Sequence, residues 1–380
     1  MADDTTYRKH NSFVGVRQKQ TAADLTARIR SCRDSLETVS LDANMAAVVR
    51  RACDDLLGET DRPVHFELQA TVAEEIRRLD DAELPRYLFY RYRYEIYPAT
   101  KTLDAFPPCI QVEPTSVCNY RCVFCYQTDT VFTRKSEGHM GMMAPELFRE
   151  IVDQAQGHVE AMTLASRGEP LAHSRFEEMI AYTAGKFLAL KVNTNASYLD
   201  ERLAHAMLSA GVGTVVFSAD AAAEPAYSQL RVGGRLEPVL DNVRRFREIR
   251  ERDYPGSRTI TRVSGVKVPG TPDLDAMDAF WGDLVDQVAF VAYNPWENAY
   301  EQPANRITSP CSDLWRRMFI WWDGRANPCD VDYKSMLAVG SITDSDLRSL
   351  WRGEAYQRLR QRHLDTKRSE VVPCRSCVVV

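Results

Sequence analysis

The sequence predicts an α/β fold organised around a parallel sheet. Between Cys109 and Tyr293, short β-rich runs alternate with helical stretches through six units in succession. That alternation is the pattern of βα units, with strands lying parallel and helices outside them. Residues 1–104 carry apolar residues at helical spacing, and residues 306–380 carry a separate set of four cysteines. The expected division is a helical region over 1–104, a βα domain over 105–305 and a cysteine-bearing domain over 306–380.

In the first region, Ala22–Leu36, Ala43–Leu57, Thr71–Leu79 and Leu84–Tyr97 repeat apolar residues every three or four positions, the spacing of one helix face. Gly58, Asp61-Arg62-Pro63, Pro85 and Pro98 punctuate them. Within the last helix, Arg86-Tyr-Leu-Phe-Tyr-Arg-Tyr-Arg-Tyr94 interleaves cations with rings. It reads as rings packed on a core with arginines snorkelling outward, or as an aromatic wall facing a substrate.

The expected strands are Cys109–Glu113, Val159–Ala165, Leu188–Thr194, Thr214–Ser218, Thr259–Val268 and Val288–Tyr293. The helices between them are Pro145–Gln156, Arg175–Gly185, Asp200–Ala210, Leu236–Arg252 and Leu274–Asp283. Pro145 suits a first helical turn, and Gly211 suits a stop after Ala210. Toward the end, Asp313–Met318 reads as helix-like, Phe319–Cys329 as a hairpin turning at Asp323-Gly324, and Leu347–Leu359 as an amphipathic helix.

Bulk properties narrow the function. A chain of 380 residues has ample core for two or three domains. A net charge of −5 argues against a general nucleic-acid binder. No run of 18 apolar residues is present, so no membrane span is expected. The opening Met-Ala-Asp-Asp-Thr-Thr resembles no export signal. Ten cysteines then point to metal ligation in a reducing, cytoplasmic setting rather than to disulfides.

Cys118, Cys122 and Cys125 place three thiols within eight residues, just past the first strand. Three thiolates can ligate three irons of a [4Fe–4S] cluster and leave the fourth open for chemistry. Zinc normally takes ligands in pairs, and no second pair lies nearby. Cys311, Cys329, Cys374 and Cys377 form a second set. Four thiolates can saturate one cluster or one zinc, and spacing alone leaves both open.

The C-x3-C-x2-C run, following Ile110-Gln-Val112 and carrying Phe124 before its last cysteine, resembles the signature of the radical S-adenosylmethionine (radical SAM) superfamily. The resemblance covers about residues 105–380 and implies a partial (β/α)6 barrel, a [4Fe–4S] cluster and S-adenosylmethionine. The Gly324-x4-Cys329 hairpin, Leu350-Trp-Arg-Gly-Glu-Ala-Tyr356 and Cys374-Arg-Ser-Cys377 are similar to the twitch form of the SPASM extension. That similarity implies one auxiliary [4Fe–4S] cluster on the second cysteine set, making two clusters in all.

The resemblance also implies cofactor positions. Ser166-Arg167-Gly168-Glu169-Pro170 resembles the Gly-Gly-Glu motif that holds the methionine amino group, with Arg167 in place of its first glycine. Asn195 ends the third strand. Ser218 and Arg231 resemble the pair that binds ribose and carboxylate; Phe124 would lie near the adenine with Tyr126 beside it.

For the substrate, Arg262 and the Tyr293-Asn-Pro-Trp296-Glu297-Asn298 run are candidates at the last strand tips. A Trp beside a carboxylate and amides suits a sugar. Asp330 and Asp332, following Cys329, are candidate bases. Three reactions follow: epimerisation of a hydroxyl-bearing carbon, as in carbohydrate epimerases of antibiotic biosynthesis; dehydrogenation of the alcohol to a ketone through the auxiliary cluster; or modification of a peptide. A non-enzymatic iron–sulfur or zinc scaffold is the rival class. Outside the cluster sets only Cys32, Cys53 and Cys109 remain as thiol hydrogen donors. Cys109 falls at the wrong end of the barrel, so Tyr293 is an equal candidate. The expected partners are a carbohydrate or glycoside and a reductant such as flavodoxin or ferredoxin, with no nucleic acid and no membrane. The region 1–104 is expected to cap the open side of the barrel and shape the substrate entrance.

Overall fold

The computed structural model describes residues 6–7, 13–19, 25–37, 41–296 and 299–380. Their strands are β1 (Phe13–Gln18), β2 (Cys109–Val112), β3 (Ala161–Leu164), β4 (Ala189–Thr194), β5 (Thr214–Ser218), β6 (Ile260–Lys267), β7 (Gln287–Ala292), β8 (Arg317–Ile320), β9 (Arg325–Asn327) and β10 (Gly340–Ser341). All belong to one sheet, in the order β1-β7-β6-β5-β4-β3-β2-β8-β9-β10. The six strands β2 to β7 lie side by side in chain order and pair parallel. This is the parallel sheet expected from the βα alternation, in the partial (β/α)6 barrel that the resemblance implies.

The N-terminal helices are α1 (Thr26–Ser35), α2 (Ala43–Leu56), α3 (Ala70–Arg77) and α4 (Leu84–Thr100). The crossover helices of the barrel are α5 (Pro145–Ala155), α6 (Phe176–Tyr182), α7 (Glu201–Ser209), α8 (Ala226–Leu230), α9 (Leu236–Asp253) and α10 (Leu274–Trp281). Side chains alternate across each strand. On β4, Leu190 and Val192 enter the core beneath the helices, while Ala189, Lys191 and Asn193 face the lumen. Among the described residues, no helix is long and apolar enough to cross a membrane.

Both edges of the six-stranded barrel are covered. Strand β1 lies in a stretch expected to be helical, yet it pairs antiparallel with β7, from Phe13 opposite Val291 to Gln18 opposite Gln287. An isolated six-residue strand with mixed polarity carries too little alternation to announce itself. On the other edge β8 pairs parallel with β2, from Cys109 opposite Arg317 to Val112 opposite Ile320. The expected hairpin follows, β8 against β9, with Gly324 in its turn at φ +84°, a backbone region that favours glycine. The hairpin therefore extends the barrel sheet itself. The helix expected at Asp313–Met318 is only a 3-10 turn, Ser312–Trp315, because the chain must straighten into β8 at Arg317. The helix expected over 347–359 is two, α11 (Leu347–Arg352) and α12 (Glu354–Leu364), broken at Gly353 with ψ 160°.

The N-terminal helices do not cap the open side. They form their own core, which reaches Cys109 and Ala161 at the first residues of β2 and β3. Arg86 of α4 grips Glu160, just before β3, with two bonds of 2.7 and 2.8 Å. Arg78 donates to the Thr259 carbonyl, just before β6, at 3.1 Å. Glu74 accepts from Gln287 at the start of β7. The region is a plug in the amino end of the barrel, because its polar anchors all meet the starts of strands. On α4 the arginines are not free to snorkel: Arg93 is 2% exposed and pairs with Asp104 at 2.6 Å, and Arg91 pairs with Glu95. Tyr87, Tyr90 and Tyr94 instead form the floor of the lumen.

This plug depends on a compact apolar seam. Leu88 is fully buried in it. We expect Leu88→Ala to lower unfolding stability by about 2–5 kcal/mol, read as a shift in urea midpoint at unchanged m-value; an unchanged midpoint would show that the plug is not part of the cooperative fold.

Candidate functional site

The chain leaves β2 at Val112 and turns through Glu113 to Val117 before the first cysteine. Hydroxyl bonds shape this turn: Thr115 donates to the Gly141 carbonyl at 2.7 Å, and the Val117 N–H donates to the Thr115 hydroxyl at 3.0 Å. Gln127 closes it from the other side, donating from its amide to the carbonyls of Ser116, at 2.8 Å, and Arg167. Cys118, Cys122 and Cys125 thereby face one cavity of about 830 Å³ at the carboxyl ends of the strands, where parallel α/β folds place their sites.

Burial pushes the Cys118 thiol up to about 12, and it pushes Cys122 and Cys125 up as well. Neighbouring thiols of the triad add to this at Cys118 and Cys125. A thiol held this way becomes a thiolate ligand when a metal replaces its proton. Donors already surround the sulfurs: the Tyr120 N–H lies 3.4 Å from Cys118 Sγ, and Arg231 Nη1 lies 3.9 Å from Cys122 Sγ. Three thiols turned to one cavity, with hydrogen-bond donors and a cation behind them, fit an iron–sulfur cluster with a vacant corner.

The tip of β3 lies against this loop. A Cβ on Gly168 would stand 2.3 Å from the Thr115 carbonyl oxygen and 2.6 Å from that of Val117, so only glycine fits. The next N–H, on Glu169, donates to the Val117 carbonyl at 2.9 Å. The Glu169 carboxylate is 3% exposed and accepts from the Thr194 hydroxyl at 2.6 Å, the Asn195 N–H at 2.7 Å and the Leu171 N–H at 3.1 Å. Burial raises its pKa, and among the described residues no cation pairs with it directly. A buried carboxylate in this state fits an incoming ammonium.

Of the other cofactor candidates, Arg231 and Asp220 form a buried pair at 2.6 Å, and the Arg231 guanidinium lies 5.9 Å from the Phe124 ring. Ser218 lines the same cavity. Asn195 donates to the Asn119 side chain at 3.0 Å and so braces the cysteine loop. Tyr126 donates to the Ser166 carbonyl at 2.8 Å and stacks on Tyr333 and Trp296. Arg167 differs from the expectation of a cofactor contact. Its guanidinium is committed to Glu113, to the Tyr333 carbonyl and to the face of Trp321. The motif glycine is absent at 167 because a side chain is needed there to tie β3 to β2 and to the hairpin.

Tyr293, Trp296 and Asp330 all reach the wall of this cavity. Glu297 lies outside the described residues. Asp332 is turned away. It accepts the N–H groups of Leu337, at 2.7 Å, and Met336, at 3.0 Å, and the Tyr300 hydroxyl at 2.9 Å. Burial lifts its pKa to about 6, and it caps a turn. Cys109 lies at the amino end of the lumen, while Cys32 and Cys53 are buried in the N-terminal core. Glu113 and Gln127 are missed by sequence reasoning, since each is a lone polar residue that meets Arg167 from far away in the chain.

The second set is also assembled. Cys311, Cys329, Cys374 and Cys377 line a closed, largely apolar cavity with Arg368 and His363. Burial pushes Cys311 up to about 12 and raises Cys329 and Cys374 well above an ordinary thiol. Arg368 donates to the Cys377 carbonyl at 2.7 Å and holds a positive charge beside the thiols. The four thiols stand around one cavity, which suits a cluster that they would share. Tyr126, next to Cys125, stacks at 5.0 Å on Tyr333, four residues past Cys329.

Residues 112–265 match the radical SAM superfamily, and residues 311–378 match an iron–sulfur cluster-binding (SPASM) domain. These domains imply S-adenosylmethionine and [4Fe–4S] clusters, one of them auxiliary. A tungsten-containing aldehyde ferredoxin oxidoreductase cofactor-modifying protein of Pyrococcus furiosus is 32% identical over 29% of this chain and 30% of its own length. A GTP 3′,8-cyclase of Listeria welshimeri is 25% identical over 54% of this chain and 61% of its own length. The chain thus spans under two thirds of either relative. The structure of Streptococcus suis SuiB bound to its precursor peptide SuiA superposes with a TM-score of 0.52 at 13% identity, covering 85% of this chain and 84% of that one; the likeness is one of fold.

The packing of β3 on the cysteine loop yields a direct test. Gly168→Ala is expected to abolish iron incorporation at the triad, leaving only the iron held by the second set. Gly256→Ala, whose Cβ meets nothing within 4 Å, should keep full iron content. Equal iron in both variants would refute the assignment of this contact.

Proposed function

We propose that this chain, with its radical SAM and SPASM domains, acts on a hydroxyl-bearing carbon of a small polar substrate, a sugar or glycoside, and most readily inverts it. When bound, S-adenosylmethionine on a reduced [4Fe–4S] cluster supplies a 5′-deoxyadenosyl radical able to take hydrogen from an unactivated carbon. Cys118, Cys122 and Cys125 would hold that cluster. Glu169 would receive the ammonium, while Ser218 and Arg231 would take the ribose and carboxylate, with Phe124 near the adenine. The observation that carries the reading is a single cavity shared by the triad, this polar cradle and the Tyr293, Trp296 and Asp330 wall. Enclosure between plug and hairpin limits water access to a reactive radical. Tyr293 is the candidate hydrogen donor, since the lone thiols lie elsewhere. Asp330 is the candidate base. A cytoplasmic flavodoxin or ferredoxin would provide the electron, in keeping with ten free cysteines.

One observation favours a second reading, dehydrogenation to a ketone. Tyr126 and Tyr333 stack between the two cysteine sets, and a fully ligated auxiliary cluster there would accept the second electron. The peptide reading draws on SuiB, whose structure holds a precursor peptide; against it, the N-terminal helices here seal the amino end of the barrel.

Anaerobic reconstitution followed by turnover in deuterated water separates these. One deuterium gained by the glycoside at unchanged oxidation state supports inversion, and loss of two hydrogens supports dehydrogenation. Absence of 5′-deoxyadenosine under all conditions would sink both. Cys122→Ala should abolish cofactor cleavage. Cys374→Ala should leave cleavage measurable while lowering substrate turnover, and wild-type turnover in that variant would remove the auxiliary cluster from the second set.

A further inference from the structure

Deeper in the lumen, beneath the cysteine triad, three cations lie without a carboxylate partner among the described residues: Lys191 on β4, Arg262 on β6 and Arg317 on β8. Other cations on the same wall are paired, Arg86 with Glu160, Arg78 with Glu74, Arg91 with Glu95 and Arg231 with Asp220. The two arginines are held by neutral groups instead. Arg262 Nε donates to the Gln287 side chain at 2.7 Å; Arg317 donates to the Gln111 side chain at 3.1 Å and to the Tyr94 hydroxyl. No hydrogen bond of the Lys191 ammonium is found among the described residues. Sheet register sets Lys191 beside Thr163 and Thr214, whose hydroxyls also line the lumen.

These charges repel. Burial, then Arg317, then Arg262 lower the Lys191 pKa to about 8. The carboxylates facing them are Glu75 on α3, which binds the Tyr87 hydroxyl, and Asp330; Glu74 and Asp313, also near, are already paired with Arg78 and Arg316. Three positive charges against Glu75 and Asp330 leave the lumen with a positive excess. Such a cluster is costly in a low-dielectric interior unless an anion joins it. A phosphoryl group carries about −1.5 to −2 charges and three acceptor oxygens, enough to meet three separate cations at once; a single carboxylate offers only two oxygens. Guanidinium forks suit phosphate oxygens in pairs, and an ammonium adds a point charge.

We propose that the barrel lumen seats a phosphoryl group of the substrate between Lys191, Arg262 and Arg317, so that the molecule acted on is a phosphate ester of a small polyol or sugar. This rests on the proposed function only in taking the cavity as the substrate's. Its ester end would occupy the lumen, and its carbon skeleton would extend toward the triad.

The test is calorimetric titration of the reconstituted holoenzyme at constant ionic strength with inorganic phosphate, glucose 1-phosphate and acetate. Single-site phosphate binding is expected, weakened about tenfold or more by Lys191→Met and by Arg262→Gln, with the exposed-site variant Lys135→Met unaffected. Glucose 1-phosphate should bind at least as tightly as inorganic phosphate. If it is excluded while phosphate binds, the seat has no room for a substrate and the proposal fails. Acetate binding as tight as phosphate would also overturn it. A second readout needs no variant: at pH 8, acylation of Lys191 by acetic anhydride, followed by peptide mass, should be slowed by phosphate. Unchanged acylation, or equal affinity in wild type and both variants, rejects the seat. None of these readouts requires cofactor cleavage, so the seat and the radical reaction can fail separately.

Discussion

Glu113 leaves the tip of β2 with its carboxylate facing Arg167 across the sheet. Three donors of that residue meet it: the backbone N–H at 3.0 Å, Nε at 2.7 Å and Nη2 at 2.6 Å. The third hydrogen bond of the guanidinium runs to the Tyr333 carbonyl, and its face lies 4.3 Å from the Trp321 ring. The same carboxylate accepts the N–H of Trp322 at 3.3 Å. One buried pair thus joins the end of β2, the end of β3 and the hairpin of the C-terminal domain. Both side chains are almost fully buried, so their desolvation costs several kcal/mol, and their worth lies in fixing geometry rather than in net stability. Removing either partner would leave the other charge stranded beside both cysteine sets. The position of Gly168 against the cysteine turn follows from this anchor, because Arg167 precedes it directly.

The barrel was legible because its strands are apolar runs bounded by clear punctuation, and its crossover helices carry a strong apolar period. Cys118, Cys122 and Cys125 were legible for a different reason, since ligand spacing is local. What escaped was non-local. Strand β1 exists because β7 has an open edge, and nothing near Phe13 encodes that edge. Strand β8 reads as a hairpin arm, and its parallel pairing with β2 depends on a register set some two hundred residues away. Arg167 shows the same limit within the site. Read by position it is a weakened cofactor motif; read with Glu113 and Trp321 it is an anchor. The placement of residues 1–104 was misjudged because amphipathic helices reveal a buried face but not the surface that covers it.

Polarity within the cavity follows from that placement. At the strand tips the fixed charge is negative, the buried Glu169 carboxylate. Deep in the lumen the excess is positive, carried by β4, β6 and β8. An ammonium-bearing cofactor and an anionic substrate would each be drawn to opposite ends of one chamber. Neither could occupy the other's place without meeting a like charge in a medium that screens it poorly. The plug makes this separation possible. By closing the amino end with Tyr87, Tyr90 and Tyr94, it converts the barrel interior from an open pore into a floor on which the far end of a substrate can rest. With an anionic end seated there as proposed, the reacting carbon would be placed by the length of the molecule between its charged end and the triad. A chamber built this way would select its substrate by charge and reach together, before any hydrogen is moved.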